Sequence, residues 1–150
     1  ASGDAGVGGL AARIGTWLGG VRAGDYVAVL AYLAPTPAHD AFLRRIAAAV
    51  GGATRAPVTV GYGPRFLHST GQLHKGGPAT GAFLQIETED ERDVAVPVAG
   101  YTFGRLKLAQ ALGDLEALTS RGRNVLRVRV APRDLPALES ALAAAAPRSA

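Results

Sequence analysis

Tyr26-Val27-Ala28-Val29-Leu30-Ala31-Tyr32-Leu33 is an unbroken apolar run of strand length. A strand with one wet face alternates apolar and polar residues, so a run without alternation predicts a strand covered on both faces. Gly24-Asp25 punctuates the chain before it, and Pro35-Thr36-Pro37 follows. There Thr36 can cap a helix and Pro37 can take its first position. Phe42, Leu43, Ile46 and Val50 form the buried stripe expected of that helix, and Gly51-Gly52 is its predicted end.

Outward from this unit the pattern repeats. Val7, Leu10, Ile14, Trp17, Leu18 and Val21 recur at helical spacing before the first strand, although five glycines between residues 8 and 20 weaken that helix. Short strands are predicted over 58–60 and 82–86. A helix runs from its cap at Thr102 to about Thr119, with Leu106, Ala109, Leu112, Leu115 and Leu118 as its expected apolar face. Gly122 stops it. Asn124–Val130 alternates apolar residues with Arg127 and Arg129, which predicts an edge strand with one wet face. Asp134 is placed to cap a last helix carrying Leu135, Leu138 and Leu142. Strands alternating with helices imply a parallel sheet covered on both sides, and right-handed crossovers make it an open three-layer αβα sandwich of about four to five strands. In such a fold ligands bind beyond the carboxyl ends of the strands, where strand order reverses.

The 150 residues suit one domain, read here as 7–146, with 1–6 as a disordered or linker segment and 147–150 as a tail. Hydrophobic residues make up 48% and charged residues 19%, a globular composition. The chain has no cysteine, which removes disulfides, thiol nucleophiles and thiolate metal sites, and fits a cytoplasmic protein. No apolar run approaches the roughly 20 residues of a membrane span, and residues 1–9 do not read as a signal peptide. The net charge of +4 comes largely from arginines scattered from Arg13 to Arg148. The spread reads first as a solvated surface and second as an attraction to phosphorylated small molecules; without a basic cluster interleaved with aromatics, nucleic acid is not an expected partner, nor is a membrane.

The most unusual stretch is Gly61–Pro78, which follows a strand as a ligand-binding loop should. It holds His68 and His74, two of the three histidines, with Arg65, Ser69, Thr70, Gln72 and Lys75 among its glycines. Glycines permit close backbone approach, and amides, hydroxyls and cations together suit an anionic, oxygen-rich ligand. The same histidines could instead hold a compact loop by capping carbonyls. No metal site is expected, since the stretch has no carboxylate and its histidines are not spaced for one helical face. No phosphate loop ends in Gly-Lys-Ser/Thr, and Ala34-Pro35-Thr36-Pro37 lacks the dinucleotide-binding glycines.

The segment GYGPRFLHSTGQLHKGGPATGAFLQI, residues 61–86, resembles the region near the C-terminus of bacterial glucose-6-phosphate isomerases, particularly those linked to transaldolase. The resemblance continues through AGYTFGRLKLAQALGDLEALTSRGRNVLRVRV to Val130, is preceded in order by GDYVAVLAYLAPTP, and so spans roughly Gly24 to Val130. It implies the sugar-phosphate-isomerase (SIS) fold, which is flavodoxin-like, and interconversion of glucose 6-phosphate and fructose 6-phosphate through an enediol, without a cofactor. Gln72-Leu73-His74-Lys75-Gly76 resembles the family's histidine motif. His74 and His68 are then alternative ring-opening residues, with Arg65, Ser69, Thr70, Gly71, Gln72 and Lys75 as substrate-binding candidates. The spacing is one residue shorter than in the family motif, which leaves the choice of histidine open.

The family's Glu-Gly-Lys base motif and its Asn-Pro-Phe-Asp-Gln motif have no counterpart. General base catalysis contributes about 10²–10⁴-fold, and the base must reach the carbon proton. Glu87 and Glu89, read as loop charges just past a strand, and Asp114 and Glu116, read as surface charges on a helix, are the nearest substitutes. Two readings follow. One is a sugar-phosphate-binding domain that needs the rest of the isomerase, or a homo-oligomer, for catalysis. The other is an interaction or regulatory domain that keeps the fold.

Overall fold

A computed structural model of the chain describes residues 7–146. The expected linker at 1–6 and tail at 147–150 lie outside the described residues. Four strands, β1 (Tyr26–Tyr32), β2 (Val58–Tyr62), β3 (Gly81–Thr88) and β4 (Asn124–Val130), form one parallel sheet in the order β2-β1-β3-β4. Five helices flank it: α1 (Val7–Gly19), α2 (Pro37–Thr54), α3 (Thr70–Gly76), α4 (Phe103–Thr119) and α5 (Leu135–Ala145). This is a three-layer αβα sandwich of the flavodoxin-like kind. Among the described residues no helix is long and apolar enough to cross a membrane.

Strand parity decides the two cores. Val27, Val29 and Ala31 of β1, with Leu84, Ile86, Leu126 and Val128, face α1, α2 and α5. Ala28, Leu30 and Tyr32 point the other way, with Phe83, toward Phe66, Ala111 and Leu118. Both faces of β1 are therefore apolar, which is why its sequence does not alternate. The second core is the smaller, and it leaves space over the carboxyl end of the sheet.

Most helices follow their sequence logic. Thr36 accepts a 3.1 Å bond from the His39 amide, Pro37 opens α2, and Phe42, Leu43, Ile46 and Val50 are all buried. The predicted stop at Gly51-Gly52 is corrected: α2 runs to Thr54 and ends where Arg55 turns left-handed (φ 57°), its amide donating to the Gly51 carbonyl at 2.8 Å. Asp134 stands at the start of α5 but makes no side-chain cap bond there.

The expected apolar face of α4 is also corrected. Ala111, Asp114 and Leu118 are its buried residues, whereas Leu106, Ala109 and Leu112 are exposed. The helix carries apolar residues on two sides, and the side with Ala111, Asp114 and Leu118 meets the sheet, where Gln85 Nε2 donates to the Ala111 carbonyl at 3.1 Å. The β4 alternation does place that strand at an edge, but its arginine face is only partly wet: Arg127 is half-buried beside α4.

Candidate functional site

The stretch expected to be an open ligand loop is folded. After β2 it forms a 3-10 turn over Arg65–His68 and then α3. Gly71 is buried there because a Cβ would lie 2.8 Å from the Phe66 carbonyl oxygen. His68, Ser69, Thr70 and Gln72 are exposed, as is Arg65. Ser69 and Gln72 donate to the local carbonyls of Phe66 and Leu67 at 3.3 and 3.1 Å.

His74 lies elsewhere. It is 7% exposed, its Nδ1 is 2.8 Å from the Tyr26 hydroxyl, and its ring stands edge-on to Phe83 at 5.1 Å. Tyr26 opens β1, so this is the amino end of the sheet. Burial, with a smaller effect of Lys75, pushes the imidazole below its ordinary range against the pull of Asp114, which favours the neutral ring. His74 therefore stands away from the carboxyl edge where a ligand loop following β2 would place it: α3 runs back toward the amino ends of the strands and carries His74 with it. Lys75 turns toward α4, where its Nζ donates to Asp114 Oδ1 at 3.0 Å. Asp114, read as a surface charge, is buried. The candidate residues of 65–75 thus divide into an exposed group, a buried glycine and histidine, and a paired lysine.

A cavity of about 280 Å³ lies at the opposite, carboxyl end of the sheet, between the ends of β1, β3 and β4 and the first turns of α4. Strand order reverses between β1 and β3, so this is the position where parallel sheets of this kind bind ligands. Its inner wall includes Tyr32, Glu87 and Ala111, all buried. Its outer wall includes Arg105, Lys107 and Arg129 together with Glu89, Asp90 and Asp93.

Glu87, read as a charge just past a strand, is a correction of the same kind as Asp114. β3 extends two residues beyond its predicted end, which places Glu87 inside the strand, facing α4. Arg127 donates to it from Nε at 2.7 Å and from Nη2 at 2.8 Å, and Gln85 Nε2 donates to Oε1 at 2.7 Å. Toward solvent, Lys107 pairs with Asp90 at 2.6 Å and Arg129 with Glu89 at 2.8 Å. Asp93 takes the amides of Gly104 and Val94 at 2.8 and 2.9 Å. Hydrogen bonding from Thr102, Gly104 and Val94, against slight burial and aided by Lys107, holds its carboxyl below the usual range.

The Tyr32 hydroxyl is buried without a hydrogen-bond partner among the described residues. Burial first, then the Asp114 and Glu87 carboxylates, push the phenol up, so it stays protonated and can donate. Sequence reading missed Tyr32 because a tyrosine in an apolar run looks like core. The signal available was its position: the end of the central strand, beside the reversal of strand order.

No protein-family model and no curated protein matches the chain. Among solved structures, a hypothetical protein of Thermus thermophilus is similar over 91% of this chain, with a TM-score of 0.71 and 19% identity. The likeness is one of fold alone. The match covers 39% of that protein, so this chain spans about two fifths of its length.

Proposed function

We propose that this chain is a SIS-type sugar-phosphate-binding domain of a glucose-6-phosphate isomerase, incomplete as a catalyst by itself, with the ligand held in the carboxyl-edge cavity. The observation that carries the reading is the cavity's position at the reversal of strand order, with Lys107 and Arg129 on its outer wall. Each cation is paired with a carboxylate, and exposed pairs of this sort contribute only about 0–1 kcal/mol. A phosphate offers more charge and more acceptor oxygens than either carboxylate, and Arg129 can grip it with two parallel donors. The residues of 61–130 that resemble the isomerase family add the sugar to the phosphate.

The absent base motif and the same geometry support incompleteness. Enediol chemistry needs a carboxylate whose oxygen is free to take a carbon-bound proton. Both Glu87 oxygens accept from Arg127, and Glu89, whose Oε1 alone accepts from Arg129, is an exposed side chain at the mouth of the cavity rather than a group held against its inner wall. The His74 ring is enclosed at the far end of the sheet. His68, the alternative, is exposed on the turn after β2 and does not line the cavity, so the ring-opening group, like the base, is expected from another part of the assembly. Backbone NMR during titration with fructose 6-phosphate tests the binding. Shifts are expected over residues 87–93 and 104–108; shifts elsewhere only, or none, would remove the reading.

A second reading is favoured by one observation. Val94, Val98, Tyr101 and Phe103, together with Leu106 and Leu112 of α4, are exposed. An apolar surface of this kind marks an interaction site. A domain that contributes this surface to subunit contacts, with no ligand of its own, would give no shifts around the cavity but would self-associate or bind the remainder of the enzyme.

A further inference from the structure

The inner wall of the cavity has an order that the strand register imposes. Tyr32 of β1 is in register with Glu87 of β3, and Glu87 with Arg129 of β4. In a parallel sheet, side chains in register point to the same face, and neighbouring strands are about 4.8 Å apart. The three residues therefore form one cross-strand row, roughly 10 Å from end to end. Along it the chemistry changes from a hydroxyl donor to a carboxylate acceptor to a guanidinium. Exposure changes in parallel: Tyr32 is 1% exposed, and the side chains of Glu87 and Arg129 are 4% and 46% exposed.

From this row we infer that the cavity reads a phosphorylated polyol lengthwise, across the strands, with its hydroxyl end against Tyr32 and Glu87 and its phosphate at Arg129. The inference rests on the cavity being the sugar-phosphate site and adds the orientation and the residues that set it. A buried phenol hydroxyl without a partner loses the water bonds it would have when unfolded, so something must compensate or stability is given up. A ligand hydroxyl compensates if it accepts from Tyr32 and donates to Glu87. Two hydroxyls on adjacent carbons satisfy both residues at once.

Arg127 is the positioning residue. Its two bonds to Glu87 come from the β4 edge and keep the carboxylate aligned with the row. Gln85 Nε2 holds Oε1 from below and donates also to the Ala111 carbonyl at 3.1 Å, which ties the row to α4. The Tyr32 oxygen itself is closed to solvent. The wall must therefore yield slightly to admit a ligand hydroxyl, which a small inorganic anion held at Arg129 does not require.

Titration of the intact chain with fructose 6-phosphate and, separately, with inorganic phosphate tests this. Tyr32→Phe is expected to weaken fructose 6-phosphate roughly three- to tenfold, the effect of one neutral hydrogen bond, to leave inorganic phosphate unchanged, and to fold at least as stably as the parent. Arg129→Leu should weaken both ligands. In the unaltered chain the Tyr32 ring resonances should move with fructose 6-phosphate and stay fixed with inorganic phosphate, a readout that holds even if the variant does not fold. Fructose 6-phosphate binding in the cavity with no effect of Tyr32→Phe and no movement of the Tyr32 ring would overturn the orientation and leave the sugar-phosphate reading standing. Absence of fructose 6-phosphate binding in the parent chain would overturn both.

Discussion

Lys75 Nζ stands 3.0 Å from Asp114 Oδ1, and this contact joins α3 to α4. The Asp114 side chain is 2% exposed and that of Lys75 is 18% exposed, so the carboxylate has little water to fall back on. The lysine that a ligand loop would have offered to phosphate instead neutralises a buried charge. Removing one partner of such a pair leaves an uncompensated charge, whereas replacing both by apolar groups of similar size is often neutral. Lys75→Met is expected to destabilise the fold by about 2–4 kcal/mol, and Lys75→Met with Asp114→Leu to recover most of the loss. Urea midpoints of the two variants check this; a ligand role for Lys75 would show a small stability change instead.

His74 gives a pH dependence with a definite sign. Its folded pKa lies below the 6.5 of the free side chain, chiefly through burial. Below about pH 6.5 the unfolded chain therefore binds a proton that the folded chain refuses, and stability falls with falling pH until the folded pKa is passed. The slope contributed by this one group is at most about 1.4 kcal/mol per pH unit. His74→Gln should remove that component from urea midpoints measured between pH 5 and 7.5. It should also cost about 1–3 kcal/mol at pH 7.5 if the Tyr26 bond is lost. An unchanged profile would mean that the ring is accessible to protons in the folded state.

Gly63 tests the wall behind Tyr32. A Cβ at this position would lie 2.5 Å from Tyr32 Cε1 and 2.6 Å from Cζ. The ring is also held edge-on to Phe66 at 5.8 Å, which leaves it little room to retreat. Gly63→Ala should cost about 1–3 kcal/mol by overpacking, read as a lowered thermal midpoint, and should shift the Tyr32 ring resonances. A neutral substitution would show the wall to be softer than its packing indicates.

The orientation of α4 is open to a direct test. Leu106→Glu on the exposed side should change stability by no more than about 0.5 kcal/mol. The face expected from periodicity would make Leu106 core, and burying an unpaired glutamate would then cost several kcal/mol. The same variant should disperse any self-association of the domain, measured by sedimentation, if the exposed apolar surface is an interface.

Catalysis by the chain alone should be at least a hundredfold below the roughly 10 s⁻¹ of an ordinary enzyme, given the contribution of a missing general base. A coupled assay forming glucose 6-phosphate from fructose 6-phosphate measures it. Turnover near the ordinary value would show that Glu87 or Glu89 leaves its arginine to act as the base.

What the sequence by itself determined is local. The unbroken run Tyr26–Leu33 and the stripe Phe42, Leu43, Ile46 and Val50 each state which faces are buried, because a period of two or 3.6 residues is written into neighbouring positions. From these the parallel three-layer fold follows. The tertiary structure alone decided which side of α4 meets the sheet, since that helix is apolar on two sides and periodicity does not choose between them. It decided also that Glu87 belongs to Arg127 and Asp114 to Lys75, partners about forty residues apart in the chain. A titratable side chain has no role until its surroundings are known. His74 reads the same in sequence whether it opens toward a ligand or closes against Tyr26 and Phe83, and only the path of α3 across the sheet places it in the second setting. Tyr32 is the converse: apolar company in sequence, but a residue of the cavity wall in register with Glu87 once the strands are laid side by side.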